Sequence, residues 1–252
     1  MKVYYLNRER FEKGDTTTAL RFALRLAKED KGIDTITLLV LQQHQYEPFL
    51  GEIGFKPIHF KNHVANVAGY KVQIHTVKTY SPDYQFQGHP QSEILIAIGV
   101  PPKDLERFED FSNIKYWIIV PWLMNENKEW LSIFEAEDIE SGKCVDAPQP
   151  ADDRIVNAIG WLRETSYPNE GYHHPLDEDR LHQMSNAITH YKVPFNYAST
   201  VYCGLHNGLI PSAARNTAET FLRAQGRAFA IKYNHYDLGF LKNMMETNHD
   251  EE

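Results

Sequence analysis

The sequence predicts an α/β protein: an open, mostly parallel, Rossmann-like sheet flanked by helices, followed by an all-helical C-terminal segment. Three observations predict it. Nearly continuous runs of β-forming apolar residues recur at 35–41, 94–100 and 116–120, the composition of strands covered on both faces. Stretches with one apolar side separate successive strand candidates, so the strands are joined by crossovers and should pair in parallel, with right-handed connections. Beyond Asp146-Ala-Pro-Gln-Pro150 the strand pattern stops and only helical periodicity remains.

The elements follow in order. Residues 2–6, KVYYL, form the first strand and lead through the polar loop NRERFEKG into Asp15-Thr-Thr-Thr-Ala-Leu. Ala19, Phe22, Ala23 and Leu26 then recur at helical spacing, with Arg21, Arg25 and Lys28 on another side. Gly32 ends that helix and Thr35 to Leu41 is the second strand. A looser region carries a short helix at 46–53, a short strand at 57–60 and a partly alternating strand at 71–78. After a loop with Pro82, Gly88 and Pro90 come the strands 94–100 and 116–120. Between them Pro101-Pro102 opens a helix whose apolar side is Leu105, Phe108 and Phe111. Helices are predicted at 152–164, 177–191, 212–229 and 237–246. In the third, Ala218, Phe221, Leu222 and Phe229 share a side, and Arg215, Glu219 and Arg223 form a ladder at four-residue steps. The division is therefore 1–147, a sheet domain, and 148–252, a helical segment packed on it, unless both extend one continuous core.

Composition narrows the classes of function. The chain has 252 residues, 42% of them hydrophobic, enough for a substantial core. Its longest apolar runs, 94–100 and 117–124, fall well below the roughly 18 residues of a membrane helix, and the N-terminus offers no secretory apolar region. No membrane association and a cytoplasmic location are expected. Cys144 and Cys203 are too few for a disulfide framework and fit a reducing compartment. Twenty-six basic against 34 acidic side chains give a formal charge of −8, which repels phosphate backbones and disfavours nucleic acid as a partner.

The loudest stretch is HHPLDEDRLH, 173–182. As a metal site it would use His174, Asp179 and His182, with His173, Asp177 and Glu178 nearby. As a helix start it uses Asp177 as N-cap, Glu178 and Asp179 in the positive first turn, and Leu176 with Leu181 as a hydrophobic staple. Leu181, Met184, Ile188 and Tyr191 then continue as a buried stripe beside His182. The helix start explains more of these residues, and no fixed metal motif such as HExxH occurs. Cys203-Gly-Leu-His206, with Asn207, has the residue types of a thiol catalytic set or half a zinc site. The plainer expectation is a loop that ends one helix at Gly208 and starts another after Pro211.

In an open α/β sheet, ligands lie outside the carboxyl ends of the strands. The loops at that edge nominate Asn7, Thr16, Thr17, Thr18, Gln42, His44, Gly99 and Asn125 as ligand-binding residues, alongside Pro121-Trp122. The three threonine hydroxyls at a helix N-terminus suit a phosphate or carboxylate, although Asp15 opposes an anion and Asp15 or Thr16 could simply cap the helix. His44 is a candidate general acid or base. There is no GxxxxGK[ST] or GxGxxG motif, so no cofactor is assigned.

The stretch Thr16-Thr-Thr-Ala-Leu-Arg-Phe-Ala-Leu-Arg-Leu-Ala, with Gly32-Ile33 and the strand 36–41, resembles the pyruvate kinase C-terminal-like α/β domains over about 30 residues. The resemblance implies the fold. In that family a threonine- and serine-rich loop after the strand binds phosphate. Here Gln42-Gln43-His44 stands in its place, so no residue role is carried over.

Three functions follow as expectations. The first is binding of a small polar or phosphorylated ligand, nucleotide-like or a metabolite, at the carboxyl edge of the sheet. The second is metal-assisted hydrolysis by the 173–182 cluster. The third is a non-catalytic subunit of an assembly, such as a homo-oligomer, in which Trp117, Trp122, Trp130 and Trp161 supply interface surface.

Overall fold

The computed structural model describes residues 1–42, 50–51, 54–81, 92–233 and 235–247. The chain divides into two compact units, Met1–Asp146 and Ala147–Glu252. The first is α/β. Its elements run β1 (Lys2–Tyr5), α1 (Asp15–Glu29), β2 (Ile33–Val40), α2 (Pro57–Asn62), β3 (Val64–Val67), β4 (Tyr70–Thr76), β5 (Ser92–Ile98), α3 (Pro102–Leu105), β6 (Ile114–Val120), α4 (Met124–Ile133) and β7 (Glu137–Asp138).

One seven-stranded sheet has the order β3-β4-β2-β5-β6-β1-β7. Every pairing is parallel except that of β3 with β4. The central strands are buried on both faces: Ile36, Leu38, Leu39, Val40 and residues 94–98 of β5 are inaccessible to solvent. Tyr4, Leu38, Ile96 and Ile118 look to one face, where Ala19, Leu20, Ala23 and Leu26 of α1 meet them with Leu50 and Phe55. Tyr5, Leu39, Leu95 and Trp117 look to the other, where Tyr80, Leu105, Phe108 and Trp130 pack.

This division follows from chirality. The β1-to-β2 and β2-to-β4 connections run toward one edge of the sheet and lie on the first face. The later connections run back, and their described residues Val77 and Tyr80 after β4, Leu105 and Phe108 after β5, and Trp130 and Leu131 after β6 pack on the second, as right-handed crossovers require. Two adjacent strand pairs, β1/β6 and β2/β5, therefore send their following loops to opposite faces. Such switch points open crevices at the carboxyl edge.

Several local expectations are corrected. The strand expected at 57–60 is helix α2, because Pro57 suits the first helical position, where its missing N–H costs nothing. β3 went unread because its hairpin with β4 turns on Ala68-Gly69, both at positive φ, with alanine in place of the usual asparagine or aspartate. α4 was missed because a buried polar residue, Asn127, interrupts its apolar side of Trp130, Leu131 and Ile133. The helix expected at 46–53 lies mostly outside the described residues, with Leu50 and Gly51 helical.

The second unit is helical: α5 (Asp153–Thr165), α6 (Pro175–His190), α7 (Tyr197–His206), α8 (Pro211–Gly226) and α9 (Leu238–Glu246). α7 carries the helix end expected at Gly208, but its span was not predicted, since Thr200, Val201, Cys203 and Gly204 are weak helix formers. Asn196 caps it by accepting the Ser199 N–H at 2.9 Å. A Cβ at Gly204 would meet the Ala214 methyl at 3.0 Å, so the glycine lets α7 and α8 approach closely. α8 ends at Gly226, three residues before the expected end, and Phe229 lies beyond it. No helix among the described residues is long and apolar enough to cross a membrane.

Candidate functional site

β1, β2, β5 and β6 are mutually parallel, so the loops after residues 6, 41, 100 and 120 share one rim. At the β1/β6 switch point two loops are zipped together. Phe11 N–H donates to the Trp122 carbonyl at 2.9 Å and Met124 N–H to the Glu9 carbonyl at 3.1 Å, with Arg10 and Leu123 in an antiparallel bridge between them. The Phe11 and Trp122 rings stack, with centroids 5.6 Å apart and planes 12° from parallel. A cavity of about 510 Å³ lies here, lined by Arg10, Phe11, Glu12, Lys13, Trp122 and Leu123. Trp122 is 49% exposed. Two cations and one carboxylate line the cavity, in a chain whose overall charge is −8.

Beside it a charged cluster ties the β1–α1 loop and the start of α1 to the loop after β7. Arg8 donates to both carboxylate oxygens of Glu140, at 2.6 and 2.7 Å, and its Nε lies 3.6 Å from Asp15. Asp15, only 4% exposed, also accepts the Glu12 N–H at 2.6 Å. Burial raises the Asp15 pKa, against the pull of the Glu12 N–H and Arg8.

The expected residues fare differently. Asp15 and its partners occupy the place at the start of α1 where an anion was expected. The N-cap is Gly14 at φ 94, not Asp15 or Thr16. Thr16 is buried, and its hydroxyl meets no partner among the described residues. Thr17 is half-buried. Thr18 lines a smaller hollow on the outer side of α1 with Arg21, Phe22 and Arg25. Asn7 is exposed at the end of β1, and Asn125 is exposed in the first turn of α4. Gly99 serves the turn out of β5, at φ 59, with its N–H donated to Val120 at 2.8 Å. Gln42 is exposed at the β2/β5 switch point, whereas His44 lies outside the described residues.

Sequence reasoning missed Arg10, Phe11, Lys13 and Leu123. Their one signal was an aromatic residue, Phe11, in a charged loop directly after a strand. It also missed Glu93, at the opposite end of β5. This residue is 7% exposed and accepts the Tyr80 hydroxyl at 2.9 Å. Burial pushes its pKa up, partly offset by the Thr37 and Tyr80 hydroxyls and by Lys71.

The stretch 173–182 starts a helix, but with other duties than expected. His174 is the N-cap, its Nδ1 accepting the Leu176 N–H at 3.3 Å. Asp177, expected as the cap, is buried and accepts from Tyr167 N–H and Arg180. Leu176 is 37% exposed while Leu181 is buried, so the two do not form a staple. His173, His174, Tyr167 and Arg180 border a second cavity of about 420 Å³.

The three metal candidates are engaged separately. Asp179 accepts the N–H groups of Lys232 and Tyr233, and His182 stacks on Phe229 with centroids 4.1 Å apart. Burial lowers the His182 pKa. Among the described residues no three His, Cys, Asp or Glu side chains could hold a metal ion together. Cys203 is buried in α7, where Asn207 Nδ2 donates to its carbonyl at 3.0 Å, and the His206 ring lies against Tyr202. Comparison of the chain with protein-family models, with curated proteins and with solved structures finds no match.

Proposed function

We propose that the sheet unit binds a small planar anion of nucleotide type in the β1/β6 crevice. Trp122 is the stacking platform, and Arg10 with Lys13 receives the phosphate or carboxylate. The observation that supports this reading is the half-exposed Trp122 indole, held against Phe11 and facing a cavity at a switch point. An indole that served only the core would be buried further, as Trp117 and Trp130 are at 0% and 3%. Aromatic faces bind bases at about 1–3 kcal/mol each, and guanidinium and ammonium groups add charge-assisted bonds to the anion. The reading is one of binding, and no reaction is assigned.

Thermal shift with AMP, GMP and UMP, set beside sugar phosphates and dicarboxylic acids, tests it. A ligand at ten times its Kd stabilises the fold by about 1.4 kcal/mol. The nucleotides should raise Tm and change the fluorescence assigned to Trp122 by comparison with Trp122→Phe. No stabilisation by any of the three ligand classes would overturn the reading. Stabilisation by a sugar phosphate with unchanged fluorescence would remove the stacking role.

A further inference from the structure

The β1/β6 cavity holds one group that an anion site alone does not explain. Glu12 lines it beside Arg10, Lys13 and Trp122, and a carboxylate there repels the phosphate that the two cations attract. Nor does Glu12 serve to neutralise Arg10. Among the described residues its carboxylate takes no hydrogen bond and no ion pair.

The Glu12 backbone, by contrast, is clamped. Its N–H donates to the Asp15 carboxylate at 2.6 Å, and the Asp15 N–H donates back to the Glu12 carbonyl at 3.2 Å. Asp15 is itself buried, with the Arg8 guanidinium beside it. One residue before Glu12, the Phe11 N–H is bound to the Trp122 carbonyl at 2.9 Å. The root of the Glu12 side chain is therefore fixed relative to the indole, while its carboxylate end stays exposed.

A fixed aromatic platform with an unengaged acceptor nearby has the two parts that base recognition needs. Stacking holds a base with little regard to its identity, and selection comes from hydrogen bonds to the base edge. An ionised carboxylate can only accept, through two oxygens. Guanine offers two parallel donors on its pairing edge, N1–H and the N2 amino group. Adenine and cytosine each set an amino donor beside a ring nitrogen that accepts, and uracil sets one N–H between two carbonyls. Each of these three turns a lone pair toward one carboxylate oxygen. Guanine alone satisfies both oxygens, through a bidentate, charge-assisted pair.

We infer that the crevice selects guanine nucleotides, with Glu12 accepting N1–H and the N2 amino group of a guanine stacked on Trp122; the inference rests on the nucleotide reading above and adds the identity of the base. Arg10 and Lys13 remain for the phosphate, so the cations and the carboxylate address opposite ends of one ligand.

Calorimetry on the full chain with GMP, IMP, AMP and UMP tests this. GMP should bind about tenfold or more tighter than AMP or UMP. IMP, which keeps N1–H and lacks the N2 amino group, should fall between. Glu12→Gln then separates recognition from charge. Its amide presents one acceptor and one donor, the complement of the adenine edge, so the ratio of GMP to AMP affinity should fall at least about tenfold. A glutamate acting only through its charge predicts that the same variant strengthens all four nucleotides alike, and that result overturns the inference. Nucleotides that bind and change the Trp122 fluorescence with no preference for GMP also overturn it, and leave the stacking reading in place. No binding by any of the four removes the stacking reading and this inference with it. The base series on the wild-type chain decides the matter should Glu12→Gln not fold.

Discussion

Trp122 stacks on Phe11 across the two loops that leave β6 and β1, with ring centroids 5.6 Å apart. The pair is fixed from below by the Phe11 N–H bond to the Trp122 carbonyl, so the indole face is oriented before any ligand arrives. Preorganisation of this kind lowers the ordering cost of binding.

Trp122→Ala should therefore weaken nucleotide binding more than it weakens the fold. Loss of the aromatic pair costs about 0.5–1.5 kcal/mol of stability, while loss of a base-stacking platform costs about tenfold or more in affinity. Calorimetry with AMP and urea denaturation, run on the same preparation, separate the two. A fall in stability with affinity intact would place the ligand elsewhere.

Arg8→Ala should destabilise the sheet unit by about 1–2 kcal/mol near neutral pH. It leaves the buried Asp15 carboxylate without its guanidinium, and because Arg8 is itself partly exposed, solvent screens part of the effect. Removing Arg8 also removes a group that holds the Asp15 pKa down, so that pKa rises further above its ordinary value. The penalty should fade as pH falls through it, since a protonated carboxyl no longer needs the cation. Adding Asp15→Asn to the Arg8 variant should recover part of the loss at pH 7. A penalty independent of pH would assign the effect to Glu140 or to packing.

Glu93→Gln should alter how stability depends on pH. Burial raises the carboxyl pKa in the folded state, so the native chain binds this proton more tightly than the unfolded chain. Stability from this group is then greatest below the unfolded value near 4.5 and is lost as pH rises toward the folded pKa, with a slope of at most about 1.4 kcal/mol per pH unit. The glutamine variant keeps an oxygen for the Tyr80 hydroxyl and cannot ionise. Urea midpoints from pH 4 upward should fall less steeply for it than for the wild type. Parallel curves would show that Glu93 does not titrate differently on folding.

The sheet was legible because burial on both faces leaves a nearly continuous apolar run, as in residues 36–40, interrupted only by Thr37, and 94–98. Its order was not, because the partner of Tyr4 is Ile118 and no local pattern encodes a pairing across more than a hundred residues. The carboxyl edge was readable from the parallel topology alone. The side chains on it were harder to choose: Phe11 lies in the β1–α1 connection and Thr16 in the first turn of α1, and only packing decides that the hydroxyl turns inward while the ring lines the cavity. Composition likewise drew attention to 173–182 as a metal set. Asp179 finds its partners at Lys232 and Tyr233, more than fifty residues away.

That long-range partnership yields the last prediction. Asp179 accepts main-chain N–H groups while 3% exposed, and charge-assisted bonds of this kind contribute about 1.5–3 kcal/mol. Asp179→Ala should therefore lower stability by about 2–3 kcal/mol and increase hydrogen exchange at the amides of Lys232 and Tyr233. Asp179→Asn, which keeps an acceptor oxygen, should lose about half as much. Zinc, manganese or a chelator should leave the Tm of all three proteins unchanged, since the carboxylate is already engaged and no group of three His, Cys, Asp or Glu side chains among the described residues could hold a metal ion. A metal-dependent rise in Tm present in the wild type and absent in both variants would restore Asp179 as a ligand and contradict its role as a backbone clamp.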